Sequence, residues 1–334
     1  MQILIVNFHY IRNIKPEVGI YPRTPAEFKD QIEELGRYYD FIYQEKLLGI
    51  LKDKAIEGSD SRYCLITFDD NLKEQLLAYE YLKEQGIPAV FYSTTLPYIE
   101  KQVHDVHKTH EIYAKYSERE LVSWLDKSCG FNDYTFSEQQ LNLAYSYDTD
   151  VNKKIKIFLN FVLSANEKKI IIDQMFNEII IDVNNFRDNL YFSKEELRMI
   201  AQDGMLGTHT HSHLPLASIS LNDAIKEISI SYKYLEKITG TKIRSISYPY
   251  GRHGAINKEV SNLARSLGLE FGLTMYRGVN NESDLKNNPM LLKRVDTNDA
   301  PHGKNKVTEF YPNNINNINN INNINNINNI KDVI

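Results

Sequence analysis

Residues 63–92 read YCLITFDDNLKEQLLAYEYLKEQGIPAVFY, and the fold turns on this stretch. Tyr63 to Phe68 is a continuous apolar and β-branched run, the pattern of a strand buried on both faces. It stops at Asp69-Asp70. Leu72, Leu76, Leu77 and Leu82 then recur at helical spacing as far as Gly86, Pro88 stops the helix, and Ala89 to Tyr92 reads as a second strand. Strand, helix and strand make a βαβ unit, and repetition of such units builds a parallel sheet or a barrel.

The units repeat on either side. Upstream, Ile3 to Phe8 reads as a first strand. Thr24-Pro25-Ala26-Glu27 then opens a helix with a Thr cap, Pro at the first helical position and Glu at the third. Phe28, Gln31, Ile32 and Leu35 give that helix a buried face, and Gly36 is its expected terminator. Downstream, Ser193 and Glu196 cap a helix that Gly204 ends. Ser220 and Asp223 open another, with Leu221, Ala224, Ile225, Ile228, Tyr232 and Leu235 on one face. Ile243 to Tyr248 reads as a strand, Val260 to Leu267 as a helix and Leu269 to Met275 as a strand. Between about 100 and 190 the texture changes to polar segments anchored by Leu121, Trp124, Leu125, Ile155, Phe158, Leu159 and Val162, which reads as a helical insertion. It could shape the substrate site or be an inert layer. From Asn313 to Ile330 the chain repeats Asn-Asn-Ile, a tract that buries little apolar surface, and 313–334 reads as a flexible tail. One domain over 1–312 is expected.

A net charge of −5 and a pI near 6.0 exclude a sequence-independent grip on nucleic acid, which needs a basic surface. No apolar run is long enough to span a membrane. MQILIVNFHY has no basic segment before its short apolar run, so a strand rather than a secretion signal is expected there, and with it a cytoplasmic protein. Cys64 and Cys129 lack metal-ligand spacing and read as reduced thiols.

Three stretches at strand ends carry chemistry-bearing residues: Thr67-Phe68-Asp69-Asp70, MLGTHTHSHLPL (205–216) and Ser247-Tyr248-Pro249-Tyr250-Gly251. Strand ends are where barrel enzymes gather their catalytic groups. Adjacent carboxylates leave a strand in different directions, so one can ligate a metal while the other faces a substrate; acids also cap helix N-termini. His209, His211 and His213 alternate. His209 and His213 can converge in either strand or helix, and imidazole is the commonest zinc ligand, although three histidines also suit a solvated loop. Pro249-Tyr250 can be a pocket wall or a rigid turn.

In identity and order, TFDD, HTHSH and YPYG resemble the first three motifs of the polysaccharide deacetylase family, carbohydrate esterases with a NodB homology domain. The likeness spans roughly 1–95 and 190–297. It implies a distorted (β/α) barrel and one divalent ion, zinc for preference, held by Asp70, His209 and His213. Asp69 would be the general base and the Tyr250 backbone N–H an oxyanion donor. His9, Pro249, Tyr250 and Arg294 would line the mouth. Many family members place an arginine before the Pro-Tyr-Gly element to orient the catalytic aspartate; here Ser247 and Tyr248 stand there. Arg244 is out of step, and Arg294 could supply the charge from the last strand. The family's late, leucine-flanked histidine acid is also not evident, and His302 occupies its region with different flanks. The resemblance implies hydrolysis of the N-acetyl group of an amino sugar in a polysaccharide, a glycan precursor or an activated sugar. The rival readings are a related amide or cyclic ureide hydrolase, and a non-catalytic carbohydrate-binding protein that has kept the metal site.

Overall fold

The computed structural model describes residues 1–15, 20–52, 60–137, 141 and 149–303. The Asn-Asn-Ile tail expected at 313–334 lies outside the described residues. Seven parallel strands close on themselves: β1 (Gln2–Phe8), β3 (Arg62–Phe68), β4 (Ala89–Ser93), β5 (Leu206–Thr208), β6 (Ser245–Ser247), β7 (Phe271–Arg277) and β9 (Leu292–Asp296). Pairing runs β1–β3–β4–β5–β6–β7–β9 and returns to β1. Two short strands sit outside the ring. β2 (Asp40–Phe41) lies parallel on β3, and β8 (Asn280–Asn281) antiparallel on β1.

The barrel is distorted. β5 and β6 have only three residues each and meet through one register pair, Thr208 and Ile246, while the β7–β9 register shifts between Leu273 and Arg277. The expected Ile243 start of β6 and Leu269 start of β7 are each two residues early. Those residues are buried, yet they precede the ladder.

Side chains alternate across a strand, and this sorts the core into two sets. Leu4, Val6, Phe8, Cys64, Ile66, Phe68 and Phe91 belong to a cluster with helix residues such as Phe28, Ile32, Leu35, Ala78 and Leu82. Ile3, Ile5, Leu65, Val90, Tyr92, Phe271, Leu273 and Leu292 form a second cluster of the opposite parity, the barrel interior. Continuing that parity to the C-terminal rim puts Asn7, Thr67, Asp69, Ser247 and Arg294 in the top interior layer, all buried. An apolar interior thus ends in a polar cap. Gly207 is required within it, because a Cβ there would come 2.3 Å from the Tyr92 ring.

The helices follow the sequence signals. Pro25–Gly36 carries the full Thr24/Glu27 capping box, and Lys194–Gln202 the Ser193/Glu196 one. Gly36 is the last helical residue rather than a left-handed stop; Arg37 caps the end in right-handed geometry. Leu221 and Ile225 of the helix Leu221–Thr239, counted in its apolar face, are exposed, and so is Leu77. The buried stripe of that last helix is Ala224, Glu227, Ile228, Ser231 and Leu235, so two polar residues that the apolar periodicity left out face inward.

The chain divides into two compact units. One takes in Met1–Lys15, Pro22–Gln102 and the described residues from Arg187 onward, and contains the barrel. The other takes in Val103–Phe186. Within it, the helices Asp105–Lys115, Glu118–Cys129, Asp150–Ile157 and Ala165–Ile179 bury Ile112, Leu121, Leu125, Ile155, Phe158, Ile172 and Phe176. Ser117, Thr149 and Ser164 cap three of them. Cys64 and Cys129 are both free thiols, and burial pushes the Cys64 thiol well above its ordinary pKa. Among the described residues no helix is long and apolar enough to cross a membrane.

Candidate metal centre

The loops leaving β3 and β5 bring Asp70, His209 and His213 together, all buried, with one ligand atom of each within 4.8 Å of the others. Among the described residues this is the one such group of histidine, cysteine and acid side chains. Its backbone departs from strand and helix alike: Asp70, Asn71, Thr210 and His213 have φ of 78°, 47°, 66° and 60°. Such conformations cost about 1–3 kcal/mol each and persist only where the surroundings impose them.

Here the surroundings are specific. The His209 N–H donates to the Ser93 carbonyl at 2.8 Å, and its Nδ1 lies 2.7 Å from the Ser247 carbonyl. A carbonyl only accepts, so Nδ1 carries the proton and a neutral His209 presents the lone pair of Nε2 to the cluster. That Nε2 is 3.4 Å from Asp70 Oδ1, and His213 Nε2 is 3.3 Å from the same oxygen. A lone pair facing a carboxylate needs a proton or a cation between them. With metal–nitrogen bonds of about 2.0–2.1 Å, the edge of a coordination tetrahedron is about 3.4 Å. The donor set, two imidazoles and one carboxylate, therefore fits a divalent ion in chemistry and in spacing. The electrostatics agree: burial alone would lower the His209 pKa, but Asp69 and then Asp70 raise it above its ordinary value, so the site attracts positive charge.

Asp69 leaves β3 on the other side, into the polar interior layer. Arg294, fully buried on β9, clamps it with Nη1 to Oδ1 at 3.0 Å and Nη2 to Oδ2 at 2.8 Å. The remaining guanidinium donors go to Asn7 Oδ1, Ser247 Oγ and the Thr274 carbonyl at 2.8, 2.9 and 2.9 Å. All five Arg294 donors are thus used inside the protein. The geometry gives Arg294 the task of orienting Asp69, and leaves it no donor to offer at the barrel mouth. Asn7 adds a hydrogen bond to Asp69 Oδ2 at 3.1 Å. Burial pushes the Asp69 pKa up, but the charges of Arg294 and then His209 outweigh it and hold the carboxyl down to about 2.

Tyr250 (φ 60°) and Gly251 (φ 54°) turn the chain sharply after β6. Pro249 is buried beneath the turn, while Tyr250 is exposed with its ring edge-on to His213 at 4.9 Å between centroids. Gly251 is required: a Cβ would stand 2.5 Å from the Met275 backbone nitrogen, which donates to the Gly251 carbonyl. His9 follows β1 at the level of Asp69 and is half-buried. His302 follows β9 on the same rim with an exposed side chain, and its carbonyl accepts from Arg23 Nη1. His211 is held apart from the cluster, Nδ1 against Thr95 Oγ1 and Nε2 against Glu100 Oε1, both at 3.0 Å. Arg244 pairs with Glu270 at the opposite end of β6 and takes no part.

Asn7, Ser93 and Gln75, whose amide ties the Asp69 carbonyl to the His9 carbonyl, were not singled out from the sequence, and Ser247 was named there without a role. Strand parity could have pointed to Asn7 and Ser247, polar residues on interior positions.

A family model described as Polysaccharide deacetylase matches residues 152–272, which include the histidine and Pro-Tyr-Gly motifs. No curated protein matches the sequence. Among solved structures, the deacetylase PplD of Streptococcus pyogenes in complex with acetate is similar at a TM-score of 0.54 and 16% identity, over 89% of this chain and 92% of that one. IcaB of Ammonifex degensii is similar at 0.51 and 14% identity, over 88% and 91%. A de-N-acetylase of Aggregatibacter actinomycetemcomitans is similar at 0.51 and 14% identity, over 88% and 94%. At these identities the likeness to solved structures is one of fold. The family model covers residues 152–272, just over a third of the chain, and the closed parallel barrel is the fold shared with the similar solved structures, so the chain is similar to the polysaccharide deacetylase family in that segment and in its fold.

Proposed function

We propose that this chain hydrolyses the N-acetyl group of an amino sugar, in a polysaccharide or a glycan precursor, with one divalent ion, zinc for preference, on Asp70, His209 and His213. The observation that supports this reading best is the ionised Asp69, clamped by Arg294 beside a three-donor cluster of metal-binding type. A carboxylate held near pKa 2 is a weak base, and a bound divalent ion meets that need by acidifying water and polarising the amide carbonyl.

The residues then divide the work. Asp69, fixed through Arg294, takes the proton from the attacking water. The Tyr250 N–H, presented by the left-handed turn, donates to the oxygen that gains charge at the amide carbon. The C–N bond breaks to give acetate and a free sugar amine. His302, on the loop leaving β9, is the proposed donor of the proton to that amine. Pro249, the exposed Tyr250 ring and His9 line the mouth where the sugar enters.

The test is acetate release from N-acetylglucosamine oligomers and nucleotide-linked N-acetylamino sugars, with and without chelator. Release that stops with chelator and returns with zinc supports the reading. Tight metal binding with no acetate from any substrate would leave a carbohydrate-binding protein on a retained metal site.

A further inference from the structure

The helix Leu221–Thr239 carries a buried carboxylate that the proposed chemistry does not use. Glu227 is only 8% exposed, and no basic side chain pairs with it among the described ion pairs. Burying a charge is expensive unless hydrogen bonds compensate. Both of its oxygens are engaged by one residue: Ser212 N–H donates to Oε2 and Ser212 Oγ–H to Oε1, each at 2.7 Å. Ser212 immediately precedes His213, whose backbone is left-handed. One helical turn on, Ser231 shares a hydrogen bond with Thr208, which immediately precedes His209. The same helix face therefore grips the chain one residue before each of the two histidines.

We propose that Glu227 is a positioning residue for the metal centre, holding Ser212 so that His213 Nε2 is aimed at the cluster before any ion arrives. This inference rests on the metal reading above. Without the carboxylate, the Ser212 N–H and hydroxyl lose both acceptors, and the left-handed turn at His213 loses what imposes it. The ring of His213 then samples other directions, and each lost orientation weakens the ion's hold. Ser231 cannot replace it, because it acts at the His209 end of the loop. Groups hydrogen-bonded directly to a ligating side chain typically account for 10- to 100-fold in metal affinity, and Glu227 acts on His213 through the residue before it.

The experiment measures zinc affinity by chelator competition, and the visible spectrum of the cobalt-loaded protein, for wild type, Glu227→Gln and Ser212→Ala. Glu227→Gln keeps size and shape but can offer only one acceptor oxygen. The expected result is zinc affinity about 10-fold weaker in Glu227→Gln, the low end of that range because the action is indirect, a smaller loss in Ser212→Ala, and an altered cobalt spectrum in both. Far-UV circular dichroism of the metal-free proteins serves as the folding control. A folded Glu227→Gln variant with wild-type zinc affinity and cobalt spectrum overturns the role of Glu227. If Glu227→Gln does not fold, Ser212→Ala decides the matter by the same two readouts. Absence of zinc binding by wild type overturns the metal reading itself, a different failure.

Discussion

Replacing Arg294 with Met removes the guanidinium from the polar layer while nearly keeping its volume. Arg294 and Asp69 are both buried and joined by two hydrogen bonds of 3.0 and 2.8 Å. Breaking a buried pair by deleting one partner costs about 3–5 kcal/mol, because the other charge is left uncompensated. The Asp69 titration gives an independent measure of part of this. The fall from its ordinary 3.8 to about 2 amounts to about 2–3 kcal/mol of preference for the charged form. The rest comes from the acceptors of Asn7, Ser247 and Thr274 that lose their donor.

The sign of the pH dependence distinguishes this account from generic loss of packing. In the wild type, the folded pKa of Asp69 is depressed, so its stabilisation is present above about pH 4 and lost as pH falls towards 2. In Arg294→Met, burial dominates and the folded pKa rises above the unfolded value. The penalty is then full at neutral pH and shrinks on acidification, as the carboxyl takes up a proton. Urea unfolding in EDTA at pH 7 and pH 4.5 reads both. The expected loss is about 3–5 kcal/mol at pH 7, smaller by about 1–2 kcal/mol at pH 4.5. A loss under about 1 kcal/mol at pH 7, or one equal at both pH values, would refute the reasoning.

Asp69→Asn should abolish acetate release while the purified protein keeps its metal, whereas His213→Ala should lose both; equal metal loss by mass spectrometry would overturn the division between base and ligand. Gly251→Ala places a Cβ 2.5 Å from the Met275 nitrogen at a φ of 54°. It should lower stability by more than about 1 kcal/mol and reduce turnover, as thermal unfolding and the acetate assay would show. Arg244, with Lys52, holds the Glu270 carboxyl down to about 2 from an ordinary 4.5. Glu270→Gln should therefore cost at most about 1 kcal/mol at pH 7 after solvent screening. That difference should vanish as pH falls from about 4.5 to 2, measured by urea unfolding across that window.

The apolar run Tyr63–Phe68 and the capping pairs Thr24/Glu27 and Ser193/Glu196 needed no tertiary information, because strand burial and helix capping leave marks within a few residues. The edges of β6 and β7 were less legible, since buried residues run past the hydrogen-bonded ladder. The face of the helix Leu221–Thr239 was misjudged for a physical reason. Glu227 and Ser231 face inward to bind Ser212 and Thr208, and periodicity counts only apolar residues.

What the sequence determined by itself was the parallel α/β plan, because it rests on local order, runs and caps a few residues long; the grouping of Asp70, His209 and His213 was implied only by the resemblance of three short motifs to a known family. What only the tertiary structure decided was how Asp69 is held. Its partner Arg294 lies 225 residues away, and Asn7 and Ser247 reach the same layer from two further strands. Barrel closure and strand register put these side chains at one height with one parity. That is a property of how seven strands pair, and no single strand carries it.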